Sequence, residues 1–183
     1  MHQSTEVFHR LVGSYPIIEL ATLAYLTDPQ GNLLMTQIED DGYWRLPGGA
    51  MLTEEDLMNA LQRTVLTQTG VLIESAFLIR IFSDVGQRYI ESDDAHIFPV
   101  YAVFSAEALS GKLERVEGSK RKFRFFASEN IPLDRVFPPM LPAVRFFMKH
   151  FSDGLPARFV DTETFIRYER SGELPRMNEP YEI

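Results

Sequence analysis

Gly48-Gly49-Ala50-Met51-Leu52-Thr53-Glu54-Glu55-Asp56-Leu57, continuing through Met58-Asn59-Ala60-Leu61-Gln62-Arg63-Thr64-Val65-Leu66-Thr67-Gln68-Thr69-Gly70-Val71, is the stretch that decides the fold. The two glycines open a tight loop, since a missing Cβ lets backbone approach closely. Thr53 to Thr69 reads as a helix. Thr53 and Asp56 have capping-box spacing, with Asp in place of the usual Glu or Gln, and Glu54 and Glu55 fall in the first turn, where the helix dipole favours acids. Gly70 supplies the C-terminal stop. Residues 64 and 68 lie one turn apart on one helix face, with 67 beside them, so Thr64, Thr67 and Gln68 form a neutral polar stripe.

Upstream, Ile17 to Leu26 is rich in β-branched and aromatic residues and reads as a buried strand. The turn Asp28-Pro29-Gln30-Gly31-Asn32 leads to a second strand, Leu33 to Ile38, and the pair suggests a hairpin. Gly42 to Gly49 reads as a short strand running into the glycine loop. Before all of this, Ser4 to Val12 reads as a short amphipathic helix capped by Ser4, with Val7, Leu11 and Val12 on one face and Gly13 ending it. Downstream, Val71 to Phe82 and His96 to Phe104 read as strands separated by the polar stretch Ser83 to Asp94. Lys122 to Phe126 follows as another strand. Leu141 to Phe151 is a helix after the Pro138-Pro139 break, and Thr162 to Arg170 a last one in the tail. This order predicts a mixed α/β (α+β) sandwich rather than a regular βαβ wind. Three segments are expected: an N-terminal helical piece over 1–15, a main domain over 16–151 and a tail over 152–183.

Composition narrows the function classes. The 183 residues carry a net charge of −8, 45% hydrophobic and 24% charged residues, which is ordinary for a globular domain. An acidic surface repels phosphate backbones, so nucleic acid is not expected as a partner. Cysteine is absent, which removes disulfides, thiolate nucleophiles and cysteine-bound zinc. Met1 to Arg10 lacks the apolar core of a signal peptide, and Ile17 to Leu26, interrupted by Glu19, is too short to span a bilayer. A cytoplasmic protein without membrane contact is the expectation. His2, His9, His96 and His150 show no metal-ligand spacing.

Gly49 to Val71 resembles the Nudix box, G-x5-E-x7-R-E-U-x-E-E-x-G-U, where U is a bulky aliphatic residue. Gly49, Glu55, Arg63, Val65, Gly70 and Val71 match six of its nine fixed positions at the right spacing. The run Trp44-Arg45-Leu46-Pro47-Gly48-Gly49 resembles the family's approach to the box. Val100 to Phe104, Ser110-Gly111, Phe125-Phe126 and Ile131-Pro132 resemble its downstream pattern, so the likeness covers roughly residues 8 to 150. It implies a Nudix fold, a mixed β-sheet sandwich between helices. In active relatives the box glutamates hold divalent metal, and Thr64, Thr67 and Gln68 stand at three of those positions. Glu55 is the one retained candidate, and a downstream acid aligns nearest to Ser119, with Glu117 two residues away. Diphosphate cleavage needs a cation to offset phosphate charge and activate water. Magnesium prefers carboxylate oxygens, so no metal cofactor is expected here, and Mg2+ or Mn2+ enters only if hydrolysis persists.

Each candidate residue has a plain reading beside the chemical one. Glu55 positions metal or water, or is simply a first-turn helix acid. Arg63 pairs with another acid, or grips a ligand phosphate. Trp44 stacks on a base, or is core. Lys120, Arg121 and Lys122 are a solvated strand face or turn, or, with Arg45, Gly48 and Gly49, a phosphate-binding surface. Phe125-Phe126 and Phe146-Phe147 are core. The expected function is a catalytically impaired Nudix-fold protein that binds a small phosphorylated or nucleotide-like ligand or acts as an interaction module. A divergent pyrophosphohydrolase of ADP-ribose- or NTP-type substrates, drawing on Glu74, Asp93, Asp94 or Glu117, is the alternative. A ligand-sensing regulator with a DNA-binding domain ranks last, because the tail is too short for a winged helix and the chain is acidic. The resemblance also allows a homodimer.

Overall fold

A computed structural model describes residues 17–39, 41–90, 96–110 and 121–151, with only the backbone described over 107–110. The expected segments over 1–15 and 152–183, together with Lys120, Asp93, Asp94, Glu117 and Ser119, lie outside the described residues.

Strands β1 (Ile17–Tyr25), β2 (Leu33–Ile38), β3 (Trp44–Arg45) and β4 (Gly48–Ala50) precede helix α1 (Leu57–Thr69). Strands β5 (Leu72–Phe82), β6 (Tyr89–Ile90), β7 (His96–Ser110) and β8 (Arg121–Phe126) then lead to helix α2 (Leu141–His150). One mixed sheet runs β4-β1-β7-β5, with β6 also on β7. In it β1 and β7 are parallel while β4 and β5 are antiparallel to their neighbours. The second sheet is β3-β2-β8. Helix α1 covers one face of the mixed sheet, where Leu61 and Val65 meet Ala24, Ala102 and Phe104. Helix α2 covers the other, where Val144 and Phe147 meet Leu23, Tyr25 and Val103. The expected α+β sandwich, a mixed sheet between two helices, is therefore present. Tyr25 locks α2 down: its ring lies 5.2 Å from that of Phe147, and its hydroxyl donates to Ala143 O at 2.7 Å. Burial pushes that phenol far above its ordinary pKa, with Arg80 opposing weakly, so the hydroxyl stays protonated as a donor.

Three expectations are corrected. The helix begins at Leu57, not Thr53. Asp56 is the N-cap and its side chain accepts from Asn59 N at 2.7 Å, so Glu54 and Glu55 precede the helix rather than filling its first turn. A carboxylate at the cap satisfies a free N–H directly, which fixes the start. Second, β1 and β2 do not form a hairpin. The turn between them is built as expected, with Asp28 Oδ1 accepting from Gln30 N and Asn32 N. Beyond the single Thr27–Leu33 bridge the strands part, β1 taking β7 and β4, β2 taking β3 and β8. Leu33 and Met35 enter one core and Leu34 the other, so β2 is buried on both faces, and β3 and β8 pair its backbone in place of β1. Third, the glycine loop is itself strand β4. The polar stretch after β5 also holds unforeseen order. A short 3-10 turn, Val85–Gln87, is closed by Asp84, and the buried Gln87 amide donates to Pro139 O at 3.1 Å. Among the described residues no helix is long and apolar enough to cross a membrane.

Candidate functional site

Strand β4 brings the glycines against α1. Its backbone pairs with β1 through Ala21–Ala50, Thr22–Gly49 and Leu23–Gly48, and Met51 N donates to Leu20 O at 2.9 Å. At Gly48 φ is +141°, and a Cβ there would sit 2.1 Å from Thr22 O. Only glycine fits. At Gly49 a Cβ would come within 3.3 Å of Thr64 Cγ2 and 4.0 Å of Gln68 Nε2, which places the neutral stripe of α1 directly on this strand.

Every polar group of that stripe is engaged inside the protein. The Gln68 amide closes a two-way clasp on Gly48: Nε2 donates to Gly48 O at 2.6 Å and Oε1 accepts from Gly48 N at 3.1 Å. A carboxylate could make only the second bond, so glutamine gives this seam a bond that glutamate could not. The Thr64 hydroxyl is buried and donates to Ala60 O at 2.7 Å. That of Thr67 donates to Arg63 O at 2.9 Å. Both are bonded back onto their own helix. Glu55 stands just before the N-cap with its carboxylate against Arg63: Arg63 Nε meets Oε1, and Arg63 Nη2 donates to Oε2 at 2.7 Å and to Ala50 O at 3.0 Å. Leu52 N adds a bond to Oε2 at 3.0 Å. The Glu55 hydrogen bond holds the Arg63 guanidinium above its ordinary pKa, against partial burial, and the Glu55 charge adds to it. Glu55, Arg63, Gly48, Gly49, Thr64 and Gln68 thus form one site, the pair tying the loop to the helix.

Trp44, Arg45 and Lys122 are elsewhere, on the three-stranded sheet. Trp44 is half-buried against the α2-side core, its ring edge-on to Phe126 at 4.9 Å. Arg45 pairs with Asp41 at 2.6 Å and lies over the Phe137 ring at 4.3 Å. Burial acts to raise the Asp41 carboxyl. The Arg45 hydrogen bond, the Tyr43 N–H and the charges of Arg45 and Arg121 outweigh it and hold the group below the usual carboxylate range. Arg121 is half-buried, and that burial, reinforced by Arg45, lowers its pKa against the pull of Asp41. Lys122 is exposed, 3.9 Å from Glu39. Asp41 and Phe137 were not singled out from the sequence. The i,i+4 spacing of Asp41 and Arg45 was a readable signal for the first, but nothing local points to the second. Among the described residues no three acids or histidines stand close enough together to hold a metal ion.

A loop and helix of box spacing, seated on a mixed sheet between two helices, define the class. The NUDIX domain model matches residues 18–147, and the chain belongs to the Nudix superfamily. It is similar in fold to a MutT NUDIX hydrolase from Burkholderia pseudomallei, at 23% identity and TM-score 0.55 over 73% of this chain and 97% of that one. It is likewise similar to a MutT protein from Bacillus halodurans (21%, 0.54, 75% and 85%). An ADP-ribose pyrophosphatase from Streptococcus suis is a third (16%, 0.50, 72% and 90%). No curated protein matches.

Proposed function

We propose that this chain is a Nudix-fold protein impaired in hydrolysis, which binds a small phosphorylated or nucleotide-like ligand or serves as an interaction module. The carrying observation is the closed state of the box: Gln68 clasps Gly48, Thr64 and Thr67 bond back to their helix, and Glu55 is held by Arg63 and Leu52 N. A magnesium ion asks for several hard, anionic oxygens. The donor set here is one paired carboxylate, two hydroxyls whose protons point into the helix, and an amide saturated on both ends. These residues do not fit a divalent cation.

For the ligand, Arg45 on the Phe137 ring and the exposed Lys122 on the other outer strand of the same sheet offer cationic and flat surfaces. Arg binds phosphate in a forked geometry and stacks on planar rings. The solved Nudix structures of similar fold include proteins titled as MutT and ADP-ribose pyrophosphatase, which favours a nucleotide-like ligand. A thermal-shift screen with ADP-ribose, NADH and nucleoside triphosphates, run with and without Mg2+ or Mn2+, tests the reading. The expected result is a rise in Tm from one of them without turnover. Hydrolysis of any at ordinary enzyme rates overturns impairment and supports the divergent hydrolase. Of the acids named for that alternative, Glu74 is described and lies exposed on β5.

A further inference from the structure

Strand β5 is the outermost strand of the mixed sheet, and among the described residues no strand pairs its outer edge. It runs for eleven residues, Leu72–Phe82, and a long bare edge is a template for another strand. Large apolar side chains gather along it. Leu72 is 37% exposed, Leu78 50% and Ile81 55%. Leu66, 42% exposed, lies one helical turn beyond Gln62 on α1. The Gln62 amide donates to Ile73 O at 3.1 Å, so this face of the helix overhangs the same edge. Such a gathering marks a contact surface rather than scattered exposure. The edge is also selective. Register with β7 shifts between Ile73 and Ser75 and between Leu78 and Arg80, leaving Ser75 to Leu78 as a regular run. The only charged residues of β5 are Glu74 and Arg80, one on either side of that run. Arg80 rests on the Phe82 and Phe146 rings, and neither charge has an ion-pair partner among the described residues.

We propose that β5 pairs edge to edge with β5 of a second copy, antiparallel, about a two-fold axis through Phe77. Residue 77 lies midway between 74 and 80, so this axis sets Glu74 opposite the partner's Arg80, and Arg80 opposite the partner's Glu74. Opposite charges facing across two strands stabilise the pairing, and like charges oppose it. Neighbouring registers lose this match. An axis through Ala76 or Leu78 sets both charges against apolar residues, and one through Glu74 or Arg80 sets like charges together. The Phe77 axis also brings Ala76 opposite the partner's Leu78. Both lie on the α1 face, in register with Ala106 and Phe104, so apolar meets apolar there. Gln62 already holds Ile73 O, so the new ladder runs from Glu74 to Arg80 and the two ion pairs close its ends. The net −8 of each chain opposes association only weakly, because charges more than about 8 Å apart are screened at physiological salt. The pairing uses no residue assigned to the ligand, so it stands or falls apart from that reading.

Sedimentation velocity of the full chain over a range of concentrations is the first test. A dimer is expected, and a chain that stays monomeric up to millimolar concentration overturns the proposal. Glu74→Arg and Arg80→Glu each set like charges across the seam, and each should weaken the dimer roughly tenfold. Mixed together, the two variants restore opposite charges at both ends of a heterodimer, which should form as tightly as the unchanged homodimer. Single variants that dimerise normally, as a dimer built on another face would, or no gain on mixing, are the contrary results. The register is read separately. The chain has no cysteine and Phe77 belongs to neither core, so Phe77→Cys disturbs little. The axis brings the two copies of position 77 to within about 5.5 Å between Cα atoms, inside the span of a disulfide. Phe77→Cys should therefore oxidise readily to a covalent dimer, and Ala76→Cys, displaced from the axis, only slowly. No covalent dimer at 77, or equal yields at both positions, sinks the register and the proposal with it.

Discussion

Two buried hydroxyls sit at the centre of the molecule without a hydrogen-bond partner among the described residues: Thr22 Oγ1 on β1 and Thr36 Oγ1 on β2. Thr22 flanks Gly49 in register, so one side chain of the β1–β4 seam is polar where shape alone is needed. A buried hydroxyl left unbonded is unfavourable relative to a methyl of the same shape. Thr22→Val is therefore expected to stabilise the fold by about 1 kcal/mol, read as a shift in the urea midpoint at unchanged m. Any loss of stability would mean that the hydroxyl has a partner after all. Gly48 behaves in the opposite way. Its positive φ and the 2.1 Å approach of an added Cβ to Thr22 O make Gly48→Ala destabilising by about 3 kcal/mol or more. The backbone strand, not a side chain, would have to give way.

Helix α1 is the element in which the box positions and a structural clasp coincide, Gln68 being held by Gly48. Introducing Thr64→Glu, Thr67→Glu and Gln68→Glu together places three carboxylates near Gly49 on one face. Calorimetry is expected to show magnesium binding stronger than that of the unchanged protein. Equal affinity in both would mean that the register of the stripe differs from that described. The same variant loses the Gln68 donor to Gly48 O and buries a charge at the position of Thr64, so it should also unfold at lower urea. Gln68→Glu alone separates the two effects. It forfeits one bond to Gly48 without building a site, and a stability loss of about 1–3 kcal/mol without metal affinity is expected. The helix start matters here as well. Because Asp56 caps α1, Glu55 stands outside the helix, free of its turn geometry, and its carboxylate can swing to meet Arg63.

Across the whole molecule, the two sheets join where β1 gives way to β2, and the second sheet's outer end carries the Asp41–Arg45–Arg121 group. Asp41 is held below the usual carboxylate range in the folded chain. Its contribution to stability is thus fully present above that range and is lost as pH falls through the folded value. Asp41→Asn should lower stability at neutral pH and leave the acid end comparatively unchanged, so that the acid limb of the stability–pH curve flattens, which denaturation at a series of pH values would show. An unaltered acid limb would refute the coupling. Read by itself, the chain disclosed the box spacing, most strand positions, the Gly70 stop and the neutral residues Thr64, Thr67 and Gln68. These are local facts, set by periodicity, turn chemistry and residue type. It did not disclose that Gln68 grips Gly48 twenty positions away, that Arg63 finds Glu55, that Arg45 lies on Phe137, or that β1 and β2 go to different sheets. Partner choice between polar groups and between strands is settled by which backbones the packing of α1, α2 and the two sheets brings within hydrogen-bond reach, and no window of sequence contains that information.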